Sequence, residues 1–243
     1  MIRNKASRFV YAGLFLILFP SSAFSKIEFC GDLTLVSKYI WRGFDTISDD
    51  RPAIQPSCTL NFGKSGFWLN LWSAIALADT NFVEADVIAG YSRDLFDRLT
   101  LSAGGGYYTF PSLTGWPDRS STTPEIYTGI TVCFVPFSPT WTIYYDFNLG
   151  DGIYSTFSLN QLFQIKNQTL NPSITVGYTN QYHKIGVEQG WSDINFGVSA
   201  DFALKNITIS PSVNYVIVPN QTINDENEFW VGLKVCWATK ETD

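Results

Sequence analysis

Asn206-Ile207-Thr208-Ile209-Ser210-Pro211-Ser212-Val213-Asn214-Tyr215-Val216-Ile217-Val218 alternates apolar and polar side chains along most of its length. Successive side chains of an extended strand point to opposite sides. Ile207, Ile209, Val213, Tyr215 and Ile217 therefore share one face, while Asn206, Thr208, Ser210, Ser212 and Asn214 share the other. The preceding segment repeats the pattern: Ile194, Phe196, Val198, Ala200 and Phe202 alternate with Asn195, Gly197, Ser199 and Asp201. So does the following one, where Phe229, Val231, Leu233, Val235 and Trp237 oppose Glu228, Gly232, Lys234 and Cys236.

The same alternation marks segments at 29–42, 53–62, 67–78, 82–92, 99–109, 125–134, 141–148, 154–164 and 172–181, for twelve strands in all. The connections alternate too. After the first hairpin, short turns such as Gly63-Lys64-Ser65-Gly66, Pro136-Phe137-Ser138-Pro139 and Lys205-Asn206 occur at every other junction, and the alternate junctions include the longer Phe110–Pro124, Tyr182–Gly190 and Pro219–Asn227. An even strand number with short turns at one end and longer loops at the other predicts an all-β, transmembrane, antiparallel up-and-down β-barrel. Lipid offers no partner for backbone N–H and C=O groups, so a sheet in a membrane must close on itself.

Composition agrees with a lipid-facing surface. Hydrophobic residues make up 45% of the 243-residue chain, yet charged residues make up only 16%, against about a quarter in ordinary soluble domains. Arg3, Lys5 and Arg8, the apolar run Phe9–Phe19 and then Ala23-Phe24-Ser25 predict a cleaved export signal over residues 1–25, with the barrel in 26–243. Removing residues 1–25 takes three of the 16 basic residues and none of the 22 acidic ones. The remainder carries 22 acidic against 13 basic groups, which excludes nucleic acid as a partner.

Registers chosen to keep charge out of lipid place Lys38, Arg42, Glu84, Asp86, Glu125, Asp146, Asp201 and Lys234 toward the lumen as candidate pore-lining groups. Carboxylates outnumber cations there, so a narrow channel lined this way favours positive ions. Tyr39, Trp41, Tyr91, Trp141, Tyr178, Trp191 and Trp237 suit interfacial aromatic girdles. Closing an even-stranded barrel sets the first strand beside the last, with Cys30 and Cys236 inward near one end; a disulfide there needs Cα atoms within about 7 Å.

Ser37-Lys38-Tyr39-Ile40-Trp41-Arg42-Gly43-Phe44 followed by Pro52-Ala53-Ile54-Gln55 resembles the opening of the TorF family of porins, with its S-x-Y-[VI]-[WF]-R-G motif. Gly66-Phe67-Trp68, Trp72-Ser73, Glu84-Ala85-Asp86-Val87, Ala89-Gly90-Tyr91 and Glu125-Ile126-Tyr127-Thr128-Gly129 extend the likeness, which is sharpest over 37–91. The resemblance implies a bacterial outer-membrane barrel with porin-like architecture, without naming a cargo. The chain departs from the usual barrel ending, because Ala238 to Asp243 follow Trp237 and a terminal aromatic residue is what the barrel-insertion machinery reads.

No catalytic, cofactor or metal-binding set stands out, so the chain is not expected to be an enzyme. His183 is the one histidine, and Ser192 lies nine residues away. Gly104-Gly105-Gly106 has no helix behind it to hold a phosphate and suits close packing within a strand. Asp45, Asp49 and Asp50 lack the spacing of a calcium loop. The expected function is passive, weakly cation-preferring diffusion of small solutes or ions across the outer-membrane lipid. The rival readings are a non-conducting structural or adhesion barrel that binds a partner through its outer loops, an outer-membrane hydrolase using His183, and a secreted sugar-binding sandwich.

Overall fold

A computed structural model describes residues 27–47, 50–77, 82–111, 122–182 and 186–238. The export signal expected over residues 1–25, His183 and Asp49 lie outside them. The wall of the molecule is twelve antiparallel strands: β1 (Glu28–Val36), β4 (Ala53–Asn61), β5 (Phe67–Ala76), β6 (Val83–Leu95), β7 (Leu99–Thr109), β8 (Thr122–Val132), β9 (Thr140–Asp146), β10 (Ile153–Asn160), β12 (Gln168–Asn180), β13 (Gly190–Leu204), β14 (Ile207–Ile217) and β15 (Glu228–Ala238). Each pairs with its neighbour around the wall, and β1 pairs with β15, so the twelve wall strands close on themselves. Three short strands stand outside this count: β2 (Ile40–Trp41), β3 (Phe44–Asp45) and β11 (Phe163–Ile165), which extends the turn into β12.

Opposed residues of paired strands share a face, so the registers show which side chains enter the lumen. Ser212 faces Gly232 and Asn214 faces Trp230 on the inside, while Val213 opposes Val231 and Val198 on the outside. Val87, Ile126, Phe157, Val198, Val213 and Val231 are all exposed, the apolar band a bilayer requires. Trp141, Trp191 and Trp237 are exposed nearer the strand ends. Among the described residues no helix is long and apolar enough to cross a membrane.

Glycine permits close packing at one point of the wall. Gly104 pairs with Gly90, and the Tyr127 ring lies across it. A Cβ on Gly104 would stand 2.7 Å from Tyr127 Cε1. The ring fills lumen space that a larger residue would claim.

The first strand differs from its expected span of 29–42. The wall ends at Val36, where Ser37 N–H donates to Val231 O at 2.9 Å and Ser37 Oγ accepts from Val231 N–H at 3.0 Å. The chain then turns inward and forms the β2–β3 hairpin. Its two-residue loop is Arg42-Gly43 with φ of 53° and 88°. Positive φ at both central positions is the type I′ geometry that matches strand twist in tight hairpins. Lys38 and Arg42 therefore lie on an inserted hairpin and not on the wall, and Tyr39 and Trp41 belong to the interior and not to a girdle. Tyr39 packs with Val36, Ile47, Ala53 and Ala74, and Trp41, Trp72 and Trp230 lie against that cluster.

The lipid-facing assignment predicts a one-sided response to charge. Val213→Lys should destabilise the refolded barrel in lipid vesicles by roughly 2–4 kcal/mol, whereas Ser212→Lys, one residue along and facing the lumen, should cost far less. Denaturant midpoints of the two variants measure this; equal losses would contradict the register.

Candidate functional site

The strand ends that carry the longer connections crowd polar groups into the lumen. Glu84 and Asp86 enter from β6, Glu125 from β8, Asp146 from β9, Asp193 from β13 and Glu228 from β15, and all six are buried. The hairpin projects Arg42 among them. Its Nη1 donates to Glu125 Oε2 at 2.8 Å and its Nη2 lies 3.5 Å from Oε1, a two-pronged pairing that suits a planar guanidinium. Tyr182 bonds both Arg42 and Glu125 through its hydroxyl, and Tyr108 Oη donates to Glu125 Oε1 at 3.1 Å.

Four aromatic faces surround the guanidinium carbon, with centroids 3.9 Å away at Tyr144, 4.5 Å at Trp41 and 4.8 Å at Tyr154 and Tyr182. A cation away from bulk water needs such compensation, and ring faces supply it together with the carboxylate. A second bridge reaches β13: Tyr154 Oη donates to Asp193 Oδ1 at 2.9 Å, and Ser192 Oγ donates to the same oxygen at 2.6 Å. A register shift at Gly177/Tyr178 lets Ser192 and Asp193 both point inward.

At the hairpin base, Lys38 Nζ lies 2.5 Å from Asp50 Oδ1 and 2.9 Å from Glu228 Oε2. Asp45, Asp50 and Glu228 offer carboxylate oxygens within 4.8 Å of one another, and the Lys38 ammonium already bonds two of these groups. Burial lowers the Lys38 pKa, but its hydrogen bonds to Asp50 and Glu228 more than offset this and hold the ammonium above its ordinary value. Burial, with Glu228 adding to it, pushes the Asp45 carboxyl up to about 6.

The candidate pore-lining residues thus divide. Arg42 and Glu125 pair with each other, and Lys38 is held by Glu228 and Asp50. Asp146 anchors the connection that follows it, accepting from Thr123 Oγ1 and Asn148 N–H at 2.8 Å each. Asp201 accepts from Ser210 Oγ at 2.6 Å, and Lys234 Nζ lies 3.7 Å from Asp32 Oδ2 nearer the other end. Glu84 and Asp86 each keep one buried oxygen without a partner. At the β1–β15 seam, Cys30 Sγ and Cys236 Sγ lie 3.4 Å apart as free thiols.

Sequence reasoning missed Asp193, Tyr182, Tyr108, Tyr144 and Tyr154. Tyr108, Tyr144 and Tyr154 stand at inward positions of their registers, so alternation alone held the signal. Asp193 sits where the bulge breaks alternation, and Tyr182 lies just past the end of β12.

The chain belongs to the Gcw_chp family, described as bacterial protein of unknown function, whose profile matches residues 21–229. Among curated proteins no sequence match is found. The fold is similar to that of a KdgM porin, with a TM-score of 0.60 at 13% identity over 87% of this chain and 99% of that one. A KdgM porin in complex with disordered oligogalacturonate gives 0.56 at 12% identity, over 88% and 99% of the two chains. LpxR from Salmonella typhimurium gives 0.52 at 9% identity, over 86% and 99%. These likenesses define a shared barrel fold.

Removing the guanidinium should expose what it compensates. Arg42→Ala leaves Glu125 buried without its counter-charge and should cost about 3–5 kcal/mol, read from the denaturant midpoint of the refolded barrel. Arg42→Lys should recover only part of this, since an ammonium lacks the planar fork and its stacking. Adding Glu125→Gln to Arg42→Ala should restore stability. An Arg42→Ala barrel as stable as the wild type would contradict the pairing.

Proposed function

Taking the chain as a barrel of that family, we propose that it is an outer-membrane, porin-like channel for passive diffusion of small solutes, with a weak preference for cations. The observation that carries this reading is a closed barrel whose inner face is polar and acidic. Glu84, Asp86, Glu125, Asp146, Asp193, Asp201 and Glu228 face inward against Lys38, Arg42 and Lys234. Fixed carboxylates lower the barrier for positive ions and raise it for negative ones. Oligogalacturonate, seen with a KdgM porin, is a polyanion, so the acidic lumen favours a common architecture over a common cargo. The outer-membrane location rests on the export signal expected in residues 1–25 and on the porin-like fold. The TorF resemblance fits the same reading, because its Arg-Gly dipeptide forms the turn of the inserted hairpin.

A channel suits this site better than an enzyme. Ser192 is fully buried and donates to Asp193, which leaves it unavailable as a surface nucleophile. The inserted hairpin narrows the end of the barrel that carries the longer connections, and it is the observation that favours the rival reading, a non-conducting barrel acting through its loops. Planar-bilayer conductance of the refolded chain under a salt gradient separates the two. Stepwise currents with a cation-side reversal potential are expected, moving toward zero in Glu84→Gln and Asp201→Asn. An electrically silent barrel that still shows heat-dependent gel mobility would remove the channel reading and leave the loops as the place of function.

We further propose that Cys30 and Cys236 form a disulfide in an oxidising compartment and staple the seam, which their 3.4 Å separation allows. Nonreducing gels should show wild type running faster than Cys236→Ser. Identical mobility would count against the bond.

A further inference from the structure

A cavity of about 310 Å³ lies beneath the hairpin and shares Trp41 with the Arg42 cage; it is about twice the ~150 Å³ that accommodates a benzene molecule. Its walls include Trp72, Tyr108, Trp41 and Trp230, with Asp86 among them. The register explains the arrangement. Asp86 pairs directly with Trp72 on β5 and with Tyr108 on β7, so its carboxylate stands between two aromatic rings on the same inward face.

Two of the residues that line this cavity carry a buried polar atom without a partner. Asp86 is 5% exposed, and its Oδ1 has no hydrogen-bond partner. Trp230 Nε1 is also buried without one. Lys38 reaches the cavity wall, but its ammonium is bonded to Glu228 and Asp50. Glu84, the next inward residue on β6, adds a second buried carboxylate and no positive charge. A buried carboxyl oxygen without a partner beside ring faces, with an unpartnered indole N–H among the same lining residues, suits a ligand that brings a cation with N–H donors.

We propose that this cavity is a binding subsite for a small organic ammonium cation, held by the Asp86 carboxylate and the faces of Trp72 and Tyr108. A hydroxyl or other acceptor on the same molecule would accept a hydrogen bond from the Trp230 indole N–H. A neutral sugar or alcohol stacks on the same rings but offers Asp86 no counter-charge. The site stands on its own geometry; its role as the solute position of a channel rests on the reading in the preceding subsection.

The test is equilibrium binding to the full refolded chain in detergent, read by intrinsic tryptophan fluorescence, with benzylammonium as probe and benzyl alcohol as its neutral counterpart. Benzylammonium should bind at least about tenfold more tightly. Asp86→Asn, which conserves side-chain size, should abolish that preference, while Trp230→Phe should keep it and dim the fluorescence response. Heat-dependent gel mobility confirms that each variant is folded. Equal affinities in wild type, or a preference that survives in Asp86→Asn, would overturn the subsite. If Asp86→Asn does not fold, block of binding by sodium chloride in wild type serves instead: benzylammonium affinity should fall with salt and benzyl alcohol affinity should not, and equal salt responses would overturn the proposal. Conductance measured on the same preparation separates the two ideas. Preferential binding in a silent barrel supports the subsite and removes the channel; currents without preferential binding do the reverse.

Discussion

A sheet immersed in hydrocarbon cannot leave an edge, because each unpaired backbone amide or carbonyl there would cost several kcal/mol. Closure between β1 and β15 meets that constraint, and everything else in this molecule follows from it. Once the sheet closes, period-two alternation divides its side chains into a lipid face and a lumen face. The lipid face must be apolar, as at Val87, Val198 and Val213. Polar residues are left the interior, where Glu84, Asp86, Glu125, Asp146, Asp193 and Glu228 are buried.

A twelve-stranded wall encloses more space than its own inward side chains fill, being wider than the eight-stranded barrels that pack solid. The protein uses part of that space for a piece of itself. The Arg42-Gly43 turn carries a guanidinium from β1's continuation to Glu125, 83 residues away in sequence. Left-handed backbone at Arg42 is costly for a residue with a Cβ, and the cage of Tyr144, Trp41, Tyr154 and Tyr182 with the Glu125 pairing holds it. The hairpin divides the interior into a tightly bonded Arg42 cluster and the looser aromatic cavity at Asp86, where polar atoms remain unanswered. The first of these fixes structure. The second has the chemistry to hold a solute.

Much of this was legible in the sequence because lipid enforces alternation so strictly. The twelve wall strands, their inward faces and the meeting of Cys30 with Cys236 all follow from period two and even closure. What could not be read was where alternation stops meaning wall. Ser37 to Trp41 keeps the same period as β1, so 29–42 reads as one strand; only the hydrogen bonds of Ser37 to Val231 show the chain leaving the sheet. The Gly43 turn signal was present, but an arginine before it is not the usual first residue of a type I′ turn. Asp193 was hidden by the bulge opposite Gly177/Tyr178. The partnership of Arg42 with Glu125 was hidden by distance along the chain.

Docking of the hairpin inside the closed barrel can be trapped by cross-linking the hairpin tip to the wall. A Cβ at Gly43 would lie 3.3 Å from Asp193 Cβ, close to the spacing of a disulfide. In a chain freed of its four cysteines, Gly43→Cys with Asp193→Cys should form an intramolecular bond on mild oxidation, seen as faster migration that reductant reverses. A folded barrel of that double variant that forms no such bond would contradict the docked hairpin.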